Sequence, residues 1–500
     1  MSAGPLVETA TGTVEGRRVA TPVGSPVVRF LGIPYAAPPV GDLRFRAPAP
    51  PAPWTGIRPA LRFGASAPQS DGVPSRLPSF SVAPTDEDCL TVNVWTPDPA
   101  GDPRPVLVWL HGGAYLGGGS AMGVFDAARL AAEGDAVIVT VNYRLGALGY
   151  LAFDPELDDA ESNCGLRDQA AALRWVSEHA VAFGGDPARV TAFGESAGGG
   201  SVLHLCTARA RPPIRRAIVQ SGEPRTLTAE LASRVRDALA GHLGIDATGA
   251  AQVAALRACP VAAILEAQNE VLGDLAVATG MMPFHPTFDE DLVDLDPVAG
   301  FAAGRARDLD LVIGNTRDEL RLWADPRARD IDDARLAQML GRLAGPGADP
   351  ARMIAVYREG PPPRSGPEIW EAARTDAVLR VPALRVADAQ VARGGTAFVY
   401  RFAWEAPGIG AAHAVDVPFT FGTFDRDGWG DAVGADAAAE ALGRDLRAAW
   451  LAFAATGNPT HPGIPDWPRH DPRTRPTLCF AAPCRLEHDP DGAARALWME

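Results

Sequence analysis

Lysine is missing from this chain. All 46 of its Lys+Arg residues are arginine, which excludes a Schiff-base or PLP-anchoring lysine, Ser-x-x-Lys acylation and a Walker A loop. Long apolar runs are missing too. No stretch approaches the ~20 residues that span a bilayer, and the start, Met1-Ser2-Ala3-Gly4-Pro5, lacks a charged segment followed by an apolar one. Neither a leader nor a membrane anchor is expected. The six cysteines (Cys89, Cys164, Cys206, Cys259, Cys479, Cys484) are spread out, with no C-x-x-C spacing, which argues against a zinc site or a disulfide framework. Free buried thiols in a reducing cytosol are expected, with Cys479–Cys484 the one conceivable bridge. No H-E-x-x-H occurs, and the acidic run Asp289–Asp296 does not fit an EF-hand loop; it reads as a solvated surface. No cofactor and no metal are expected. Acidic residues outnumber basic ones, 61 to 46, for a net charge of -15, which argues against a nucleic-acid footprint.

Apolar residues are plentiful, at 47% of 500, enough for a large core. No linker, repeat or long charge run divides the chain, so residues 1–500 are expected to form one domain. Val27–Leu31, Glu87–Trp95, Pro105–His111 and Ala136–Arg144 read as strands, the last two as near-continuous apolar runs buried on both faces. Leu166–Val176 has helical spacing, and a strand at Val190–Phe193 follows it. This alternation predicts an α/β fold with a mostly parallel sheet covered by helices on both faces. Residues 224–309 and 323–393 instead show helical periodicity mixed with loops. They are expected to be helical insertions that roof a pocket. Ala449–Ala455 continues a helix that stops at Gly457.

The most informative stretch joins the strand Val190–Phe193 to an apolar helix through Gly194-Glu195-Ser196-Ala197-Gly198. G-x-S-x-G between a strand and a helix is the nucleophile elbow of α/β-hydrolases: a sharp turn lifts the serine hydroxyl above the helix N-terminus. Ser196 is the expected nucleophile. Upstream, the strand Pro105–Leu110 opens into His111-Gly112-Gly113-Ala114. Backbone N–H groups of Gly113 and Ala114 there, with that of Ala197, would form an oxyanion hole. The order Ser, acid, His requires a base far downstream. His461 and His470 lie in a polar, Pro-rich run and His488 in the acidic tail. His413 follows a strand-like run, Thr396–Ala403, and a glycine-containing loop, which is the position a catalytic base needs. The acid should also end a strand. Leu309–Asn315 leads to two candidates, Asp318 and Glu319, and pattern alone does not choose between them. Glu195, beside the nucleophile, either steers water and cations or ties down the elbow.

Several ordered pieces carry a resemblance: Phe30-Leu-Gly-Ile-Pro-Tyr-Ala36, Leu43-Arg-Phe-Arg-Ala-Pro48, Glu87-Asp-Cys-Leu90, His111-Gly-Gly-Ala114, Asn163-Cys-Gly-Leu-Arg-Asp-Gln169, Phe193-Gly-Glu-Ser-Ala-Gly198, Gln220-Ser-Gly222 and Asp466-Trp-Pro468. With these the chain resembles the type B carboxylesterase and cholinesterase-like family of α/β-hydrolases, its bacterial esterases in particular, over essentially its whole length. The resemblance implies a serine carboxylesterase with a Ser196–His413–Glu319 triad. It selects Glu319 as the acid and gives the Ser221 hydroxyl a role supporting it. It also implies two buried ion pairs, Arg44–Glu87 and Arg144–Asp168. Where the family usually continues Asp-Glu-Gly, this chain has Leu320, a departure that keeps the carboxylate but alters the loop. Carbamate or amide hydrolysis by the same triad is the alternative, and a non-catalytic binding protein on this fold the rival. The expected partner is a small-molecule ester, acted on in the cytoplasm by a monomer or weak homo-oligomer.

Overall fold

The protein is described here by a computed structural model. It describes residues 4–499 except 71–76, 79–81, 83, 155, 157, 280–281, 325–330 and 360–362, with backbone alone for 276–279. Among the described residues the strands in chain order are β1 (Leu6–Thr9), β2 (Gly12–Glu15), β3 (Arg17–Val19), β4 (Val27–Pro34), β5 (Ile57–Pro59), β6 (Thr91–Thr96), β7 (Arg104–Leu110), β8 (Val137–Val141), β9 (Gly185–Glu195), β10 (Arg216–Gln220), β11 (Asp310–Thr316), β12 (Thr396–Phe402), β13 (Pro476–Phe480) and β14 (Arg485–His488). Three of them form a small sheet, β1-β2-β5. The other eleven form one large sheet in the order β14-β13-β12-β11-β10-β9-β7-β8-β6-β4-β3. Its middle, from β13 to β8, is parallel throughout. The strands outside that block pair antiparallel.

Apolar runs make these central strands because both faces of the sheet are covered. Along β7, Val106, Val108 and Leu110 join one core cluster, while Leu107 and Trp109 join another. The same alternation splits Ala217 and Val219 from Ile218 on β10, and Leu311 and Ile313 from Val312 on β11. Side chains two apart share a face of the pleat, so each strand feeds both cores and has no wet side. Every residue of β6, which overlaps the strand expected at Glu87–Trp95, is buried as well.

Between residues 224 and 309 lie helices Ala229–His242, Gly249–Ala258, Val261–Thr279 and Pro297–Ala302. Between 323 and 393 lie Asp333–Ala344, Pro350–Arg358, Gly366–Thr375 and Val381–Ala392. Residues 280–281, 325–330 and 360–362 of these two stretches lie outside the described residues. The second stretch has its own apolar cluster, Leu336, Leu340, Met353, Ile354, Tyr357 and Ile369, on which the C-terminal helix Gly492–Met499 packs through Ala494, Leu497 and Trp498.

Both expected ion pairs form. Arg44 meets Glu87 through Nε and Nη2 at 2.8 and 2.6 Å, and its Nη1 donates to the carbonyls of Arg257 and Cys259 at the end of helix Gly249–Ala258. Arg144 meets Asp168 bidentately at 2.7 and 2.6 Å. All six cysteines are free. The acidic run 289–296 is not a mere solvated surface. The Asp289 side chain is 5% exposed. Its carboxylate accepts from the backbone N–H groups of Leu292 and Val293, from Asn163 and from Arg167, while Asp296 caps helix Pro297–Ala302. These carboxylates satisfy orphan backbone donors, a use that charge counting along the sequence does not reveal.

Candidate active site

The site lies where parallel strands end. Ser196 follows β9, the central strand of the large sheet, and caps helix Ala197–Thr207. Its backbone has φ 58° and ψ −124°, a region that costs a non-glycine residue about 1–3 kcal/mol and persists only when its surroundings enforce it. Enforcement comes from β10: the N–H of Ser196 donates to the Gln220 carbonyl at 2.9 Å, and that of Ser221 to the Gly314 carbonyl at 2.8 Å. In register, Gln220 sits opposite Glu195 on one side and Gly314 on the other. Ser196, Ser221 and the residues after Gly314 therefore leave the sheet along one edge, the edge at which open parallel sheets place their sites.

The loop after β7 lies against this elbow. A Cβ added to Gly112 would stand 3.0 Å from the Ser196 Cβ and 2.7 Å from Glu195 Oε2. Gly113, Ala114 and Tyr115 all have positive φ, 119°, 56° and 61°. A Cβ at Gly113 would run into the Gly117 carbonyl oxygen, so only glycine fits. Among the described residues no acceptor takes the N–H of Gly113 or Ala114. Ala197, as the first helical residue, has an N–H without an intrahelical partner. His111 underpins the loop as a neutral ring: it is buried, stacks on Tyr143 at 4.4 Å, and burial lowers its pKa to about 4.

Glu319 begins the short helical turn Glu319–Trp323 after β11 and is wholly buried. Its carboxylate accepts three hydrogen bonds: from the Thr316 N–H at 2.7 Å, the Ser221 hydroxyl at 2.6 Å and His413 Nδ1 at 2.5 Å. His413 lies in the loop after β12, and its backbone N–H donates to the Glu319 carbonyl at 3.2 Å. The other downstream histidines are engaged elsewhere: His470 with Asp388, His461 with the Asp445 carbonyl and His488 with the Thr474 carbonyl. Asp318, the competing acid, faces away from the imidazole. It takes Arg317 at 2.6 Å and the Ala411 N–H at 3.1 Å, and so latches the acid's turn to the histidine's loop.

Glu195 is closer to the centre than a simple elbow anchor. It is 4% exposed, and its Oε1 is 3.0 Å from His413 Nε2, which makes no hydrogen bond. Burial raises the Glu195 pKa to about 8, against the attraction of His413 and with the repulsion of Asp416 and Glu319 added. Burial disfavours the charged imidazole of His413, but Glu195, Glu319 and Asp416 outweigh it and push that pKa up to about 9.

Reasoning from sequence missed Asp416 and Trp323. Asp416 is buried, accepts from Gln220 at 2.8 Å, and has its pKa raised to about 6 by burial. Trp323 is 42% exposed, with its ring centroid 5.1 Å from that of His413. The signals were present: Asp416 is three residues after His413, and Trp323 is one helical turn after Glu319. No cluster among the described residues could hold a metal ion.

A central parallel sheet, a strained serine on the turn from β9 into a helix, and an acid and a histidine after later strands together define an α/β-hydrolase. Residues 3–498 match the carboxylesterase family, and the chain belongs to it. It is 37% identical to the para-nitrobenzyl esterase of Bacillus subtilis, over 98% of this chain and 97% of that one. It is 36% identical to the phenmedipham hydrolase of Pseudarthrobacter oxydans, over 88% of each. The solved carboxylesterase of Geobacillus stearothermophilus superposes with a TM-score of 0.87 at 33% identity, covering 99% of this chain and 100% of the other.

Proposed function

We propose that this carboxylic ester hydrolase works through an acyl-enzyme on Ser196. His413 Nε2 takes the hydroxyl proton as Oγ bonds to the ester carbonyl carbon. The carbonyl oxygen becomes an oxyanion held by the N–H groups of Gly113, Ala114 and Ala197. Glu319 keeps the proton on Nδ1 and stabilises the imidazolium, while Ser221 and Thr316 hold the carboxylate in place. The carbon–oxygen bond then breaks, and the alcohol leaves with the proton from His413. Water, deprotonated by the same nitrogen, hydrolyses the acyl-enzyme and frees Ser196. No cofactor enters these steps.

The observation that carries the reading is the buried chain from the Ser221 hydroxyl through Glu319 to His413, whose Nε2 lies 3.0 Å from Glu195 of the elbow. Titration with an organophosphate tests it. One serine per chain should be labelled, and Ser196→Ala should abolish both labelling and ester hydrolysis while leaving the fold intact. Labelling that persists in Ser196→Ala would refute the assignment of the nucleophile, and a parent chain that takes no label would favour a binding role. The relative named phenmedipham hydrolase gives ground for a second reading, in which the same triad cleaves carbamates or amides. A panel of p-nitrophenyl esters beside matched carbamates separates the two.

The helical stretches 224–309 and 323–393 belong to this proposal as the roof of the substrate pocket on a single domain, 1–500. So does action on a small-molecule ester, without nucleic acid or membrane anchor, by a monomer or weak homo-oligomer in the cytoplasm. No single helix among the described residues is long and apolar enough to cross a membrane. The pair Gly249–Ala258 and Val261–Leu275 reaches that length only together, bent by 116°.

A further inference from the structure

Beside the acid's turn lies a cavity of about 220 Å³. Five arginines line it: Arg317 and Arg321 flank Glu319 in sequence, Arg364 precedes helix Gly366–Thr375, Arg380 follows that helix, and Arg401 comes from β12. Five carboxylates line it as well, so formal charge balances, and the occupant is decided by which groups remain unpaired. Asp376 is taken by Arg380 at 2.6 Å and by the Tyr357 hydroxyl at 2.5 Å. Asp491 is taken by Arg380 at 2.7 Å and Arg401 at 2.6 Å. Asp318 is held by Arg317, and Glu368 accepts from the backbone and hydroxyl of Ser365.

Two guanidiniums remain underused. Arg321 comes no nearer than 3.8 Å to Asp318 and 4.0 Å to Glu371, beyond hydrogen-bond reach. Arg364 donates to the Tyr357 carbonyl at 3.0 Å and has no ion pair among the described residues. Two more N–H groups on the lining, the Nε of Arg380 and of Arg401, are buried without a partner, and Arg380 is only 8% exposed. Among the described lining residues, every buried polar side-chain atom left without a partner is thus a donor. Guanidinium forks match the oxygens of a carboxylate or phosphate, and an unsatisfied buried donor calls for an acceptor.

We propose that this cavity binds a small, multiply charged oxyanion, a phosphate or a short dicarboxylate, through Arg321 and Arg364, and that its occupancy acts on turnover. Drug-sized ligands occupy pockets from about 300 Å³ upward, so the volume suits a small ion with accompanying water. The link to the reaction is the shared wall. Arg321 is two residues from Glu319, and its Nη1 lies against Gly410 in the loop that carries His413. Asp318 exchanges hydrogen bonds with Ala411 in that loop, and the Leu320 N–H meets Thr375 Oγ1 across the cavity's edge at 3.3 Å. An anion that anchors Arg321 restrains the turn that orients the imidazole.

The test is calorimetry on the full chain with inorganic phosphate and, separately, succinate, against chloride at equal ionic strength. Saturable binding at one site per chain is expected for at least one of them. It should weaken about tenfold or more in Arg364→Ala and in Arg321→Ala, as loss of a charge-assisted contact implies, and stay unchanged in the surface variant Arg426→Ala. Phosphate alone binding assigns a tetrahedral ligand, and succinate alone assigns a dicarboxylate. No saturable binding above chloride, the result if water alone fills the cavity, overturns the site; so does undiminished binding in both cavity variants. These measurements do not depend on the hydrolytic mechanism. For the second half, the bound anion should change kcat on p-nitrophenyl acetate in the parent and not in Arg364→Ala. Binding with an unaltered kcat overturns the coupling.

Discussion

Replacing Glu319 by Gln while preserving its shape should inactivate the protein, through hydrogen-bond bookkeeping that can be followed atom by atom. All three neighbours of the carboxylate are donors: the Thr316 N–H, the Ser221 hydroxyl and His413 Nδ1. A glutamine has one accepting oxygen and one donating NH2. The Thr316 N–H cannot become an acceptor and shares Oε1 with Ser221, so the amide oxygen must take that side. The NH2 then faces Nδ1, which can accept only if its proton moves to Nε2. In that tautomer Nε2 cannot receive the Ser196 proton, and the negative charge that steadies the imidazolium is gone. An equivalent change in the serine-protease triad costs about 10⁴-fold, or roughly 5 kcal/mol of barrier. Because the new network is still fully paired, the thermal midpoint should move little. Asp318→Asn is the control. It weakens the half-exposed pair with Arg317, about 1 kcal/mol at most, and leaves the backbone bond from Asp318 to Ala411, so activity should stay within a few-fold. Initial rates on p-nitrophenyl acetate beside thermal melts decide the matter. An active Glu319→Gln with a dead Asp318→Asn would refute the assignment and make Asp318 the acid.

Gly113→Ala should lower kcat by about 10²–10³-fold, as loss of an oxyanion donor does, because φ of 119° and the Gly117 carbonyl force the loop to move; KM should change far less. Glu195→Gln removes the first contributor holding the His413 proton. The acid limb of kcat/KM should therefore shift to lower pH, whereas an unshifted or raised limb would place Glu195 outside the proton equilibrium. Full activity should survive dialysis against EDTA, since side chains and backbone N–H groups carry every proposed step; a loss restored by zinc or calcium would count against the mechanism.

Much of this site could be read from the chain because its local chemistry is written in adjacent residues. A β-branched strand, two glycines around Ser196 and an apolar helix admit few other conformations, and the observed φ and ψ are those of a strained elbow. The sheet was legible for the same reason, since strands buried on both faces must be largely apolar. Contacts between distant segments, such as the Arg44–Glu87 and Arg144–Asp168 pairs, were legible only through the family resemblance. Asp318 and Glu319 are adjacent carboxylates at one strand end, and only the path of the loop after β12 sends one to His413 and the other to Arg317 and Ala411. The acidic run 289–296 looked solvated because nothing nearby in sequence announces that Asn163 and Arg167 will pack on Asp289.

The imidazole's surroundings hold two requirements in tension. Carboxylates flank it at both nitrogens, Glu319 at Nδ1 and Glu195 at Nε2, with Asp416 buried nearby. Such a setting favours the imidazolium that forms as Ser196 attacks, which lowers the barrier. It also favours a protonated ring at rest, since the carboxylates push its pKa up to about 9, and that is a cost because a protonated ring cannot take the Ser196 proton. Glu195 relieves that cost. Burial raises its own pKa to about 8, and once protonated it no longer pulls on the ring. The pair therefore titrates as a unit sharing one proton. With the proton on Glu195, the ring loses that attraction and is the neutral base that attack by Ser196 requires. On this account burial of Glu195 is functional. An aspartate, one methylene shorter, would leave Nε2 without that partner at 3.0 Å.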